Sequence, residues 1–312
     1  MSDRKLISIV TPCYNEAGNI DELHQRIVAQ LQQFPHYDFE HIYIDNASTD
    51  NTREEIRRLA SADFRVKAIF NTRNFGIIRS SNYALLQAHG DAVINMASDM
   101  QEPPELIGEF IRQWEQGFKV VAGVKPQSDE SGLMFGIRRL YYATIGRIAD
   151  VKLIPNYTGF GLYDREVIEA VRAIDDPYPY FRGLIADLGY AHAEVPYVQP
   201  MRKRGITKSN FYALYDMAML GITSHSKVPL RLATMAGFAL SAISMVIALG
   251  YLLLKLVRWE GMSFGLAPIL IGFFLFASVQ LFFIGLLGEY ILQIHTQVQK
   301  RPLVVERGRI NF

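Results

Sequence analysis

The chain has 312 residues, and its 32 lysines and arginines against 31 aspartates and glutamates leave a formal net charge of +1. Half of it is hydrophobic, 12% aromatic and 20% charged, which excludes a disordered chain, a fibrous repeat and a small disulfide-stapled module. Near-neutrality argues against capture of nucleic acid by the whole surface, leaving only local basic patches, and the single cysteine, Cys13, excludes an intramolecular disulfide and a cysteine-based zinc site.

Taken in chain order, Leu6–Thr11 is β-branched and apolar, as a buried parallel strand is. Pro12–Gly18 breaks the run, and Asn19–Leu31 repeats apolar residues at helical spacing. Further strands are predicted at His41–Ile44, Val66–Phe70 and Ala92–Ala97, with helices at Asn51–Ala60 and Ser80–Ala88 between them. Strand and helix alternate, and polar residues gather where strands stop. The pattern predicts an α/β fold with a doubly wound, mostly parallel sheet whose ligand site lies at the carboxyl ends of its strands.

Three strand ends carry the polar residues: Thr11, Pro12, Tyr14, Asn15 and Glu16; Asp45, Asn46, Ser48 and Asp50; and Asp99 with Gln101. Oxygen ligands of this kind suit a hard cation beside a phosphate-bearing ligand, with backbone amides at helix starts facing the anion. Neither a G-x-G-x-x-G loop nor a Walker lysine loop is present. Asp50 with Thr52 also reads as a helix cap, Tyr14 as a packing residue and Asp45 as an Asx-turn.

Two uncharged runs follow, residues 232–254 and 266–288. Each reaches the roughly 20 apolar residues that cross a bilayer as a helix; the other reading is two buried helices of a soluble core. Arg202, Lys203, Arg204, Lys208, Lys227 and Arg231 precede the first run. Lys300, Arg301, Arg307 and Arg309 follow the second, while the connection holds only Lys255 and Arg258 beside Glu260. The positive-inside rule then predicts a multi-pass membrane protein with its long N-terminal part and both termini in the cytosol and the connection outside. The expected division is a cytosolic domain over 1–208, a juxtamembrane amphipathic segment over 209–231, a two-helix hairpin over 232–294 and a cytosolic tail over 295–312. Residues 133–148 mix Arg138, Arg139 and Arg147 with Tyr141 and Tyr142, which suits an interfacial helix or packing against the domain or another subunit.

The ordered set Pro12-Cys13-Tyr14-Asn15-Glu16, Asp45-Asn46-Ala47-Ser48-Thr49-Asp50 and Ser98-Asp99-Met100-Gln101-Glu102-Pro103-Pro104-Glu105 resembles the family 2 glycosyltransferases of GT-A fold. The likeness is to the polyprenyl-phosphate branch, with dolichyl-phosphate-mannose synthase and the bactoprenol glucosyltransferases. Arg73-Asn74-Phe75-Gly76, Arg182-Gly183, Arg202 with Gly205 and Lys208, and Pro229-Leu230-Arg231 extend it.

This resemblance implies that Pro12, Tyr14, Glu16, Asp45, Asn46 and Ser98 hold a nucleoside-diphosphate sugar. It implies that Asp99 and Gln101 bind Mg2+ or Mn2+, and that Arg202 and Lys208 close over the diphosphate as catalytic residues. The lesser alternative is that Arg202-Lys203-Arg204 touches anionic lipid head groups, and the two readings are compatible. The implied acceptor is a polyprenyl phosphate, the implied reaction an inverting transfer, and the implied assembly a homo-oligomer; a glycan or glycerolipid acceptor, or a nucleotide-binding scaffold, are the competing readings. Three positions depart from the pattern. Ala97 stands where an aspartate is usual, Asn46 replaces the second member of an Asp-Asp pair, and Gly159-Phe160-Gly161 replaces Asp-Phe-Arg.

Overall fold

A computed structural model describes residues 4–125, 153–200, 219–221, 223, 226–257 and 266–312. Arg202, Lys208, the 133–148 segment and most of the juxtamembrane segment lie outside the described residues. The first half alternates as the hydrophobic pattern requires: β1 (Leu6–Cys13), α1 (Ala17–Leu31), β2 (Asp38–Asp45), α2 (Thr52–Ala62), β3 (Val66–Asn71), α3 (Ile77–Gln87) and β4 (Ala92–Asn95). The chain continues through α4 (Ile107–Glu115), β5 (Val120–Val124), β6 (Tyr157–Asp164), α5 (Arg165–Ile174), α6 (Phe181–Asp187) and β7 (His192–Pro196). Two long helices, α7 (Val228–Val257) and α8 (Leu266–Gln299), precede a last strand, β8 (Glu306–Ile310).

All eight strands form one sheet in the order β7-β5-β6-β4-β1-β2-β3-β8. β1 pairs in parallel with both β2 and β4, and β2 with β3; β6 runs antiparallel to its neighbours β4 and β5. Successive side chains of a strand point to opposite faces, so Ile7 and Ile9 pack toward α1 and α4, whereas Val10 packs toward α3, α5 and α6. Leu23, Ile27 and Leu31 recur at helical spacing on α1 and complete the first of these layers. Burial on both faces explains the near-continuous apolar strands, and the helices stay because their stripes have no other apolar surface to cover.

α7 and α8 contact each other and carry windows long and apolar enough to cross a membrane, with none of those windows buried. Met235 is 67% and Phe282 68% exposed on them. Tyr290 Oη donates to Ser226 O at 2.8 Å, and Gln297 Nε2 donates to Asp176 Oδ1 at 2.7 Å, which fastens the end of α8 to the loop after α5. The chain then returns to the sheet. β8 runs antiparallel along β3, pairing Ala68 with Ile310 and Asn71 with Glu306.

Candidate active site

The strand order reverses between β4 and β1, and in an open α/β sheet the crevice beyond such a switch point receives the ligand. Three loops meet there. Each contains a non-glycine residue in the left-handed region: Asn15 at φ 56°, Ala47 at φ 61° and Met100 at φ 63°. Such residues cost roughly 1–2 kcal/mol each and persist where the surroundings fix them.

Asn15 N–H donates to Ser48 Oγ at 2.9 Å, Glu16 N–H to Thr52 Oγ1 at 2.8 Å and Ala17 N–H to Asp50 Oδ2 at 3.3 Å. The start of α1 is therefore satisfied by the β2–α2 loop, and these three amides already have partners within the chain. Asp50 is not itself the N-cap, which is Asn51 for α2 and Glu16 for α1, yet its carboxylate accepts from the first amide of both helices: Thr52 N–H donates to Asp50 Oδ1 at 3.0 Å. Burial pushes the Asp50 carboxyl up, but hydrogen bonds from Thr52 and Ala17 outweigh that and hold it below its ordinary value.

The nucleotide residues implied by the motifs come together here. Ser98 Oγ donates to Pro12 O at 3.0 Å, tying β4 to β1, and Tyr14 stands half-buried between the two loops. Glu16 is buried and accepts from Asn19 Nδ2 at 2.6 Å. Asp45 has no exposed surface; its Oδ1 accepts from Ser48 N–H at 3.0 Å, the Asx-turn, and its Oδ2 from Arg53 Nε and Nη2, both at 3.2 Å. A buried carboxylate needs such a partner. Asn46 turns toward the loop after β3: Nδ2 donates to Asn74 Oδ1 at 2.8 Å, while Oδ1 accepts from Phe75 N–H at 2.9 Å and Asn71 Nδ2 at 3.1 Å.

Asp99 and Gln101 sit together on the loop that leaves β4, with Gln101 N–H donating to Asp99 Oδ1 at 3.1 Å. Among the described residues no three histidines, cysteines or acids gather as a metal cage. One carboxylate and one amide nevertheless fit a hard cation that takes its remaining ligands from water and substrate phosphates, the usual habit of magnesium.

Beside Asp99 lies a cleft of about 320 Å3, in the lower range of small-ligand pockets. Its walls come from α3, β4, the start of β6 and the start of α6. The missing Asp and Arg of the third motif have a structural explanation. Gly159 adopts φ 102°, and its carbonyl accepts from Asn95 Nδ2 at 3.0 Å and Tyr163 Oη at 2.7 Å. At Gly161 a Cβ would stand 2.3 Å from Val121 O, so no side chain fits. Glu102, which sequence reasoning passed over, enters the cleft instead. It is half-buried, accepts from Ala97 N–H at 2.6 Å through Oε2, and lies 3.5 Å from Thr158 Oγ1 through Oε1. Burial first, and the charge of Asp99 in addition, push its carboxyl up to about 7 against the hydrogen bond from Ala97. Arg53 was also missed; nothing eight residues beyond Asp45 singles it out, because only the turn into α2 brings them together.

The sequence model of "Glycosyl transferase family 2" matches residues 8–172 of this chain. The chain belongs to that family. An uncharacterized glycosyltransferase of Synechocystis is 31% identical over 95% of this chain and 93% of its own length. A bactoprenol glucosyl transferase of Shigella flexneri, derived from the SfII prophage, is 32% identical over 95% of this chain and 96% of its own. Among solved structures, the mannosyltransferase PcManGT of Pyrobaculum calidifontis, in complex with GDP-Man and Mn2+, superposes with a TM-score of 0.49 at 18% identity, covering 96% of this chain and 88% of that one.

The sheet is thus that of a family 2 glycosyltransferase with the GT-A fold, and the protein is a glycosyltransferase.

Proposed function

We propose that the protein transfers one sugar from a nucleoside-diphosphate donor, UDP-linked, to a polyprenyl phosphate, undecaprenyl phosphate, with inversion at the anomeric carbon. The observation that carries this reading is the extent of the match to bactoprenol glucosyl transferase: it spans 95% of this chain and therefore takes in α7 and most of α8 as well as the catalytic sheet. A soluble acceptor would give no reason for two long apolar helices in the same chain.

Pro12, Tyr14, Glu16, Asp45 and Ser98 would hold the nucleoside, and Asp99 with Gln101 a divalent cation, Mg2+ or Mn2+. Bound there, the cation would neutralise charge that grows on the leaving diphosphate. Asn46 would act indirectly, through the loop of Asn74 and Phe75. Arg202 and Lys208 would close over the diphosphate.

The chain's own task is then positioning. A phosphate monoester has its second pKa near ~6 and reaches the site largely dianionic at neutral pH. It needs no general base, so the absence of carboxylates at Ala97 and Gly159 leaves the chemistry intact. One lipid-phosphate oxygen forms the new bond to the anomeric carbon as the bond to the diphosphate oxygen breaks, and that electron pair leaves with the nucleotide.

The helices would cross the inner membrane as a pair, with catalytic domain and both ends in the cytosol. β8 supports this arrangement: it follows the helices yet pairs with β3, so the chain must return to the side it left.

Purified protein given labelled UDP-sugar, undecaprenyl phosphate and manganese is expected to form lipid-linked label. Asp99→Asn is expected to reduce turnover at least 100-fold while the protein stays folded. Label on another acceptor, or binding without turnover, would overturn the reading; full activity of Asp99→Asn would remove the assigned cation site.

A further inference from the structure

Glu102 is the one acid, and Arg182 the one base, among the described residues that line the cleft beside Asp99. Two motif positions in its wall carry no polar side chain, Ala97 and the left-handed Gly159, while Ser81, Asn82, Asn95, Thr158 and Tyr180 supply neutral polar groups. Neutral groups can therefore meet a sugar's hydroxyls from several sides, and Glu102, the one carboxylate, is the strongest acceptor among them.

The side chain is also fixed in place. Its backbone precedes Pro103, which restricts it to extended conformations. The loop before it is set by the left-handed Met100 and by the Asp99–Gln101 turn. Its Oε2 is tethered to Ala97 N–H at 2.6 Å. Among the described residues its Oε1 reaches only Thr158 Oγ1, at 3.5 Å, the outer limit of a hydrogen bond. A carboxylate held by one oxygen, with the other beside a cleft, is built to accept from a further donor.

We propose that Glu102 is the residue that reads the donor sugar, accepting a hydrogen bond from one hydroxyl of the transferred hexose through Oε1. This rests on the reading of the site as a nucleoside-diphosphate-sugar site. The chemistry selects a hydroxyl rather than a phosphate, because a carboxylate attracts the first and repels the second. Position agrees: Asp99 and Gln101, on the diphosphate side, lie three and one residues before Glu102, and the sugar is the next group along the donor. Hydrogen bonds to a charged group are the stronger kind, and a site built around one rejects an analogue that lacks the partner hydroxyl.

The test uses full-length protein in detergent with manganese. Wild type is first assayed with UDP-glucose, UDP-galactose and UDP-N-acetylglucosamine, and the best donor is carried forward. Glu102→Gln keeps the shape and one amide oxygen. It is expected to bind UDP within twofold of wild type but to bind the UDP-sugar about tenfold more weakly, with kcat/KM falling at least as much. Of the monodeoxy forms of that donor, one is expected to lose about tenfold with wild type and to lose nothing further with Glu102→Gln.

An equal loss for UDP and UDP-sugar would assign Glu102 to the cation or to loop structure, and no loss for either would leave it without a role; both overturn the proposal. If Glu102→Gln does not fold, wild type alone decides, since tolerance of every monodeoxy donor within twofold is also fatal. Binding of neither UDP nor any UDP-sugar by wild type would instead overturn the proposed function, and this inference with it.

Discussion

His41 lies on β2 with no exposed surface, its Nε2 at 3.0 Å from Thr11 Oγ1 and its Nδ1 at 3.2 Å from Nδ1 of His24 on α1. Burial lowers both imidazoles below the usual value of 6.5, and for His41 the neighbouring His24 lowers it further. Below pH 6.5 the unfolded chain binds more protons than the native one, so this pair makes the protein less stable as the pH falls. Glu102 acts with the opposite sign, because its raised value makes the native state bind the proton more tightly between pH 4.5 and about 7. The informative quantity is therefore a difference. Between pH 7.5 and 5.5 the thermal midpoint of wild type should fall by more than that of His24→Leu, measured in the same detergent; parallel profiles would show that the histidines are not the acid-labile pair.

At the scale of elements, β8 couples the end of the chain to β3, α3 and the loop that holds Asn46. Thr72 N–H and Oγ1 both donate to Val305 O, at 3.0 and 3.1 Å, so the chain just past β3 is held by the residue before β8. Arg309 Nη2 donates to Tyr83 Oη at 3.0 Å and Gln87 Oε1 at 2.8 Å on α3, and Asn311 Nδ2 to the carbonyls of Ala60 and Val66 at 2.8 and 2.9 Å. One residue before Thr72, Asn71 holds Asn46 and also donates to Ser80 Oγ at 3.1 Å. Removing residues 304–312 would strip this edge and leave β3 with unpaired backbone groups. The expected result is a lower thermal midpoint and at least fivefold weaker UDP binding, with membrane insertion unchanged. Unaltered UDP affinity in a truncated protein would show that β8 is a passive edge.

For the molecule as a whole, the pairing of β8 with β3 ties the far side of the hairpin to the catalytic sheet, so the helices cross together or not at all. The native Cys13 is buried and gives little background for thiol labelling. In right-side-out vesicles an impermeant maleimide should label Glu260→Cys, in the connection between the helices, and not Asn311→Cys; inverted vesicles should reverse the pattern. Labelling of both positions from one side would refute the hairpin.

Much of this was legible in one dimension because the physics is local. Continuous apolar strands such as Leu6–Thr11, the 3.6-residue stripe of α1 and the two uncharged runs announce themselves through burial and periodicity, and the polar strand ends through their contrast with those runs. Every element from β1 to β4 was found in order. The ends moved by a few residues, as at β2, which begins at Asp38 rather than His41 because pairing with β1 extends past the apolar run. Other features depend on neighbours distant along the chain. Nothing local in Glu306–Ile310 marks an edge strand, since its pattern is charged and largely exposed and its partner lies more than 200 residues earlier. Arg53 becomes the counter-ion of Asp45 only across a turn, and Glu102 becomes the acid of the cleft only because its loop folds back on Ala97. Composition and periodicity determined which segments are buried and which class of chemistry gathers at the strand ends. Tertiary structure decided which charges meet, because Coulomb and hydrogen-bond terms depend on distances of a few ångströms that sequence separation does not encode.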